Sequence, residues 1–378
     1  MLQLPLNRRN LLGTAGALLL SPCVAAVAPA KTPAVKRTYT IAQVIDTSTA
    51  QQDVSKDIMI GSRAAWQDIN AQGGVQGHQI RHATFEVDGT SQSVQTALQA
   101  ISDDASCIAI SAAAGERAAF ELVTQIRKKS VFIANIAPWL QNSALAVDEK
   151  TFPIFAGRQE QIGHALRNLT EQGVRDVGAV YATEQDMNQY RDDIDRLAGS
   201  LKLKIRTFEA KGDVTGMGSR LTPDTPAILL FVGGTPEIIS FMKGASALNQ
   251  RYIVALADVN LQTLIQLGSQ RKTTVIGTQV VPVMSSNLSI VRHYKAVMAK
   301  LFEEPPTALS LAGFIAARYT FEVLNSIDGP VTRKSVLETF QKRSLVDVGG
   351  FRVSFDNTRR SVNFVAQSLL TVDGRLIS

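Results

Sequence analysis

Gly61-Ser62-Arg63-Ala64-Ala65-Trp66-Gln67-Asp68-Ile69-Asn70-Ala71-Gln72-Gly73-Gly74-Val75-Gln76-Gly77-His78-Gln79-Ile80 contains the end of a helix, a glycine turn and the start of a strand. Counting back from it, Ile58, Ile60, Ala64, Ala65 and Ile69 recur at helical spacing, which predicts a helix over 56–70. The glycines of 73–77 predict a tight turn, and 79–87 the next strand. Upstream, residues 39–45 alternate and end in the turn-prone Asp46-Thr47-Ser48-Thr49. Strand, helix and strand in immediate succession form a βαβ unit, so the two strands pair in parallel.

The same alternation runs outward along the chain. Helices are predicted over 91–104 and 116–129, with strands over 107–110 and 131–135. It restarts with a helix over 160–172, then strands over 177–181, 204–209, 227–232 and 252–255 separated by helices over 189–201 and 236–247. A late helix over 305–327 and a late strand over 349–355 complete the pattern. The expected fold is α/β, with two similar doubly wound lobes, each built on a parallel central sheet. In such sheets ligands bind beyond the carboxyl ends of the strands, so the turns after the strands are the candidate site.

The chain opens with Asn7-Arg8-Arg9-Asn10-Leu11-Leu12, an apolar run over 13–20 and then Ala28-Pro29-Ala30. A basic start, a short apolar core and a small-x-small motif read as an export signal of the twin-arginine type, cleaved after Ala30. The apolar run is shorter than the roughly 20 residues that span a bilayer. Cys23 is a poor lipidation site, because Pro22 stands where a lipobox has Gly or Ala. Cleavage removes Arg8, Arg9 and no acid, so the net charge falls by two, from +6 to +4. The basic residues form no run, which argues against nucleic acid or membrane surfaces as partners. Cys107, followed by Ile108-Ala109-Ile110, reads as a buried apolar side chain.

Catalytic and metal motifs are missing. His78, His82, His164 and His293 form no HExxH pattern, and there is no Walker A loop and no GxSxG elbow. Gly212-Asp213-Val214-Thr215-Gly216-Met217-Gly218 mimics a phosphate loop but lacks a third glycine in register, and reads as a flexible loop. The acid pairs Asp103-Asp104, Asp192-Asp193 and Glu303-Glu304 are neighbours in sequence that diverge on a helix, so they read as solvated surface. No cofactor or metal is expected, and no enzyme.

The helix end Asn70-Ala71-Gln72-Gly73-Gly74-Val75-Gln76-Gly77 with the acidic turn Val87-Asp88-Gly89 resembles the type I substrate-binding proteins of branched-chain amino acid ABC transporters, the Leu/Ile/Val-binding family. The likeness continues through Gln172-Gly173-Val174, Val232-Gly233-Gly234-Thr235-Pro236-Glu237, Thr278-Gln279-Val280-Val281-Pro282 and Asp347-Val348-Gly349-Gly350-Phe351. The resemblance implies a type I periplasmic-binding-protein fold with three crossings between the lobes and the ligand cleft between them. Residues 31–154 would form mainly the N-terminal lobe and 155–281 mainly the C-terminal lobe. Residues 282–378 would be crossover segments completing both. The implied partners are a small amino acid or organic acid and an ABC permease, with the receptor a monomer in the periplasm.

Family members hold an α-carboxylate with first-lobe hydroxyls and amides and an α-ammonium with a second-lobe acid. The acid corresponds to Asp258, which also reads as a helix N-cap. The first-lobe turns fall at 111–117, including Gly115 and Glu116, and at Ile136-Ala137-Pro138-Trp139, where the usual hydroxyls are missing. Arg158 stands where many relatives carry a tyrosine. It either grips a ligand carboxylate with two prongs or is a solvated residue at a helix start. Trp139 is expected at the cleft. Thr47, Tyr181, Gly234 and Thr235 complete the expected lining. Glu116, Trp139, Arg158 and Asp258 describe a cleft more polar than one made for leucine, suited to a carboxylate, an aromatic acid or a polar amino acid. A ligand sensor acting on a membrane-bound regulator is the competing function, and an exported enzyme a remoter one.

Overall fold

The computed structural model of the chain describes residues 38–245, 251–268, 273–357, 360–361 and 364–377. The export signal expected over 1–30, its expected cleavage point and Cys23 lie outside them. The first lobe runs β1 (Tyr39–Asp46), α1 (Gln52–Ala71), β2 (Ile80–Val87), α2 (Ser91–Asp103), β3 (Cys107–Ser111), α3 (Glu116–Lys128), β4 (Ala134–Ile136) and β5 (Thr151–Phe152). Its sheet has the order β2-β1-β3-β4-β5 with every pair parallel. Tyr39 pairs with Ile80 and Asp46 with Val87, the register that the 73–77 turn imposes. Gly74 sits at φ +75°, where a Cβ would meet the His78 carbonyl oxygen at 2.0 Å.

The second lobe follows with α4 (Arg158–Glu171), β6 (Asp176–Tyr181), α5 (Glu184–Leu201), β7 (Lys204–Glu209), α6 (Val214–Ser219), β8 (Ile228–Val232), α7 (Thr235–Gly244), β9 (Tyr252–Ala255), α8 (Leu261–Gln266) and β10 (Thr274–Gln279). The chain then forms α9 (Ser289–Leu301), α10 (Ala308–Asn325), α11 (Arg333–Gln341) and a hairpin of β11 (Val346–Val348) and β12 (Phe351–Val353). β13 (Ala366–Leu370) and β14 (Leu376–Ile377) end it. The second sheet has the order β14-β13-β10-β9-β8-β6-β7, parallel except where β13 and β14 add antiparallel at one edge.

Helices α9–α11 return to the first lobe, where Tyr294, Phe314, Tyr319 and Phe340 share one core with Ile41, Trp66 and Phe152. α10 packs on α1 at backbone distance. A Cβ on Gly61 would meet the Ser310 carbonyl oxygen at 1.7 Å, and one on Gly313 the Ile58 oxygen at 1.9 Å. Cys107 is buried, as its apolar neighbours predict, and burial pushes its thiol up to about 11.

Residues 212–218 are not a loop throughout. The Asp213 carboxylate accepts from the Gly216 N–H at 2.7 Å and caps α6, and Gly218 lets that helix approach α7. α5 starts five residues before the expected 189, because Thr183 caps it by accepting from the Asp186 N–H. The strand expected over 131–135 pairs only from Ala134. No helix among the described residues is long and apolar enough to cross a membrane.

Each sheet reverses its strand order once, between β1 and β3 in the first lobe and between β6 and β8 in the second. Diverging connections leave a crevice at the carboxyl ends of such strand pairs. The two crevices face each other.

Candidate functional site

A cleft of ≈ 580 Å³ lies between the two reversal points. Ala50 and Gln51 after β1, with Glu116, Arg117 and Phe120 of α3, line it from the first lobe. Arg158, Thr183, Asp186, Gly233, Gly234 and Glu237 line it from the second. The volume falls within the usual 300–1,000 Å³ of small-molecule sites.

Local geometry places the charged groups. Gly115 precedes α3 at φ +87°, where a Cβ would meet the Asp46 Cβ at 2.5 Å, so glycine makes the turn that presents Glu116 at the helix start. The Glu116 N–H donates to Gln51 Oε1 at 3.0 Å. Gly157 opens α4, and the Arg158 N–H donates to the Gln141 carbonyl at 2.7 Å. In the turn after β9, the Ala257 N–H donates to Gln161 Oε1, and Asn260, not Asp258, caps α8. Thr235 is buried and its hydroxyl accepts from the Asn260 N–H at 2.8 Å, bracing that turn.

Arg158 is 6% exposed and touches three carboxylates. Its Nε donates to Asp258 Oδ2 at 2.8 Å, and its Nη2 to the same oxygen at 2.6 Å and to Glu116 Oε2 at 3.0 Å. Its Nη1 donates to Asp186 Oδ1 at 3.0 Å, and the guanidinium carbon lies 5.4 Å from the centre of the Tyr190 ring. Trp139 Nε1 donates to the other Asp258 oxygen at 2.8 Å. Burial works against the arginine's charge, but the carboxylates outweigh it and hold its pKa well above the ordinary value. One guanidinium does not neutralise three carboxylates. Burial first, then repulsion from Asp258 and Asp186, pushes Glu116 up to about 7 against the pull of Arg158.

Four of the residues singled out in the sequence therefore meet in one network: Glu116, Trp139, Arg158 and Asp258. Their roles differ from the expected ones. Asp258 is 1% exposed with both oxygens engaged, so no ligand ammonium reaches it here. Arg158 is no solvated helix start, and its nitrogens are spent on carboxylates, leaving no open fork for a ligand. Trp139 is buried against Phe155 and borders a separate apolar cavity of ≈ 50 Å³ with Val280, Val281 and Leu309.

The remaining expected residues divide. Gly234 is in the cleft wall, its N–H donating to Glu237 Oε2 at 3.1 Å. Gly115 and Thr235 act through the backbone they shape. Thr47 is exposed but its hydroxyl is turned onto the Val87 carbonyl at 3.1 Å. Ala137, at φ +50°, is buried in the first-lobe core. Tyr181 points into the second-lobe core, where burial raises its hydroxyl pKa.

Asp186, Tyr190, Gln51 and Phe120 were not expected, and Arg117 was expected only as the end of the 111–117 turn. The signal for Asp186 was present: Thr183 precedes it by three residues directly after a strand, an N-cap spacing.

The sequence profile described as "Periplasmic binding protein" matches residues 38–367. Among curated protein sequences none matches the chain. Solved structures share its fold. An extracellular ligand-binding receptor from Verminephrobacter eiseniae superposes with a TM-score of 0.82 at 14% identity, covering 90% of this chain and 100% of the other. A substrate-binding periplasmic protein from Ralstonia solanacearum gives 0.78 at 17% identity, over 90% and 99%. A leucine-binding protein from Thermotoga maritima gives 0.75 at 13%, over 89% and 97%.

Proposed function

Because the chain belongs to the periplasmic binding protein family, we propose that it is an exported solute receptor. It binds a small amino acid or a related polar solute between two closing lobes and delivers it to an ABC permease. The observation that carries this reading is the cleft, walled by both lobes where each sheet reverses its strand order. Contacts already cross it: Glu116 to Arg158, and Trp139 to Asp258. A hinge that opens must break both and one that closes remakes them, which is the chemistry of a two-state clamp. The leucine-binding protein named above supports an amino-acid-like solute, while the charged network here argues for a more polar one than leucine.

The reading includes no turnover, a monomeric receptor, and an N-terminal signal cleaved after Ala30 with no lipid on Cys23. Small-angle scattering with and without a solute found by thermal-shift screening tests the clamp, since a solute bound only by the folded state raises Tm. The radius of gyration should fall on binding. An unchanged radius at saturation would remove the clamp. Mass spectrometry of the exported protein should begin at Lys31, and an acylated Cys23 as first residue would replace cleavage by anchoring.

A further inference from the structure

The geometry points to a cationic solute: the cleft takes an amine or guanidinium compound of net positive charge, with its cationic group on Glu116 and in the field of Asp186, whose Oδ1 takes Arg158 and whose Oδ2 takes the Thr183 hydroxyl. This rests on the receptor reading and names its ligand class. The chain as a whole carries +6, yet its cleft is acidic. Glu116, Glu121, Asp186 and Glu237 line it against Arg117 and Arg158, a net of −2, and Asp258 stands directly behind Arg158.

The imbalance is concentrated where a ligand would meet it. Arg158 is saturated by three carboxylates and offers an anion nothing. Glu116 gives only Oε2 to Arg158. Its Oε1 has no hydrogen-bond partner among the described residues, and the side chain is 18% exposed at the cleft wall. A carboxylate so placed gains most from a second cation, because a close opposite charge in a partly desolvated site is worth far more than one in water. Phe120, 41% exposed, adds an aromatic face on the same wall for the methylene stem or the charge of an amine. Arg117 makes no ion pair among the described residues, so a basic amino acid has a group for its α-carboxylate as well. A simple carboxylate would meet Arg117 alone amid four acids. A field of one sign in a cleft also concentrates ligands of the other sign.

Calorimetry on the full exported chain, with lysine, arginine, putrescine, spermidine, leucine and glutamate as probes, decides it. At least one of the four cations should bind, and at least 100-fold more tightly than leucine or glutamate. Glu116→Gln and Asp186→Asn should each weaken that cation at least tenfold, with circular dichroism confirming the fold of each variant. Unchanged cation affinity in both folded variants would overturn the placement. Tighter binding of leucine or glutamate, with the scattering radius falling, would overturn the cationic class and leave the receptor standing. No binding by any of the four cations would overturn the cationic class, and the receptor reading would then fall only if the thermal-shift screen also found no solute.

Discussion

Arg158 holds Asp258 at 2.6 Å with a second nitrogen on the same oxygen, so an arginine of the chain itself occupies the place beside this acid that the family resemblance gives to a ligand's ammonium. Asp258 is 1% exposed, and its other carboxylate oxygen accepts from the Trp139 indole N–H. Arg158→Ala should therefore destabilise the protein by about 3–5 kcal/mol, the usual result of stripping one partner from a buried ion pair. Arg158→Lys should recover only part of it, since one ammonium cannot span Asp258, Asp186 and Glu116 at once. Urea unfolding reads both. A midpoint for Arg158→Ala equal to that of the parent would show that the network contributes nothing to stability.

Trp139→Phe isolates the indole N–H. The ring packing against Phe155 largely survives, but Asp258 Oδ1 loses its donor, at a cost of about 1–3 kcal/mol. Trp66, buried in the first-lobe core, is the other tryptophan of the chain. In a Trp66→Phe background, Trp139 emission alone reports the contact between lobes and should shift when a solute binds. An emission spectrum insensitive to a binding solute would show that the Trp139–Asp258 contact does not change with closure.

Glycines on three helices make opposite predictions. Gly61→Ala and Gly313→Ala push a methyl into backbone oxygens of the facing helix, and each should cost about 1–3 kcal/mol or more. Gly199, inside α5, has nothing within 4 Å of its missing Cβ. Gly199→Ala should instead stabilise by about 0.4–1 kcal/mol, by restricting the unfolded chain. Thermal melts of the three variants suffice, and a stabilised Gly61→Ala would mean that α1 and α10 do not pack this closely.

The fold was legible because parallel sheets buried on both faces write themselves as short apolar runs, and because Gly73-Gly74-Val75-Gln76-Gly77 fixes the first βαβ register. The glycines of the α1–α10 contact were not legible. Gly61 lies within the most informative stretch of the chain, but its partner Ser310 is 249 positions away, and no periodicity links them. At the site, the family resemblance, carried onto the turns and helix starts of this chain, named Glu116, Trp139, Arg158 and Asp258 individually. It did not show that these residues bind one another. Whether an arginine meets a ligand or three carboxylates of its own chain depends on the approach of α3, α4 and α5, which sequence spacing does not encode. Asp186 was lost because the α5 start was placed a turn and a half late, leaving its N-cap unread.

Acidity gives the last prediction. Glu116 is pushed up to about 7 in the folded chain, from an ordinary value near 4.5 in the unfolded one. Between those values the folded state holds a proton that the unfolded state has released. Stability therefore falls as pH rises from about 4.5 to about 7, by at most ~1.4 kcal/mol per unit for one group. The groups facing Glu116 are Arg158 of α4, Asp186 and Tyr190 of α5, and Asp258 after β9. His82, which burial and Arg63 lower to about 4, contributes the opposite slope between about 4 and 6.5, so the wild-type profile alone is ambiguous. The difference between wild type and Glu116→Gln is not, because the amide removes only one of the two. That difference should favour Glu116→Gln increasingly as pH rises from 5 to 7.5. The affinity for an amine should rise over the same window as Glu116 ionises, in wild type and not in the variant. A flat difference in stability across this range would place Glu116 near its ordinary pKa, paired with Arg158 as a simple salt bridge.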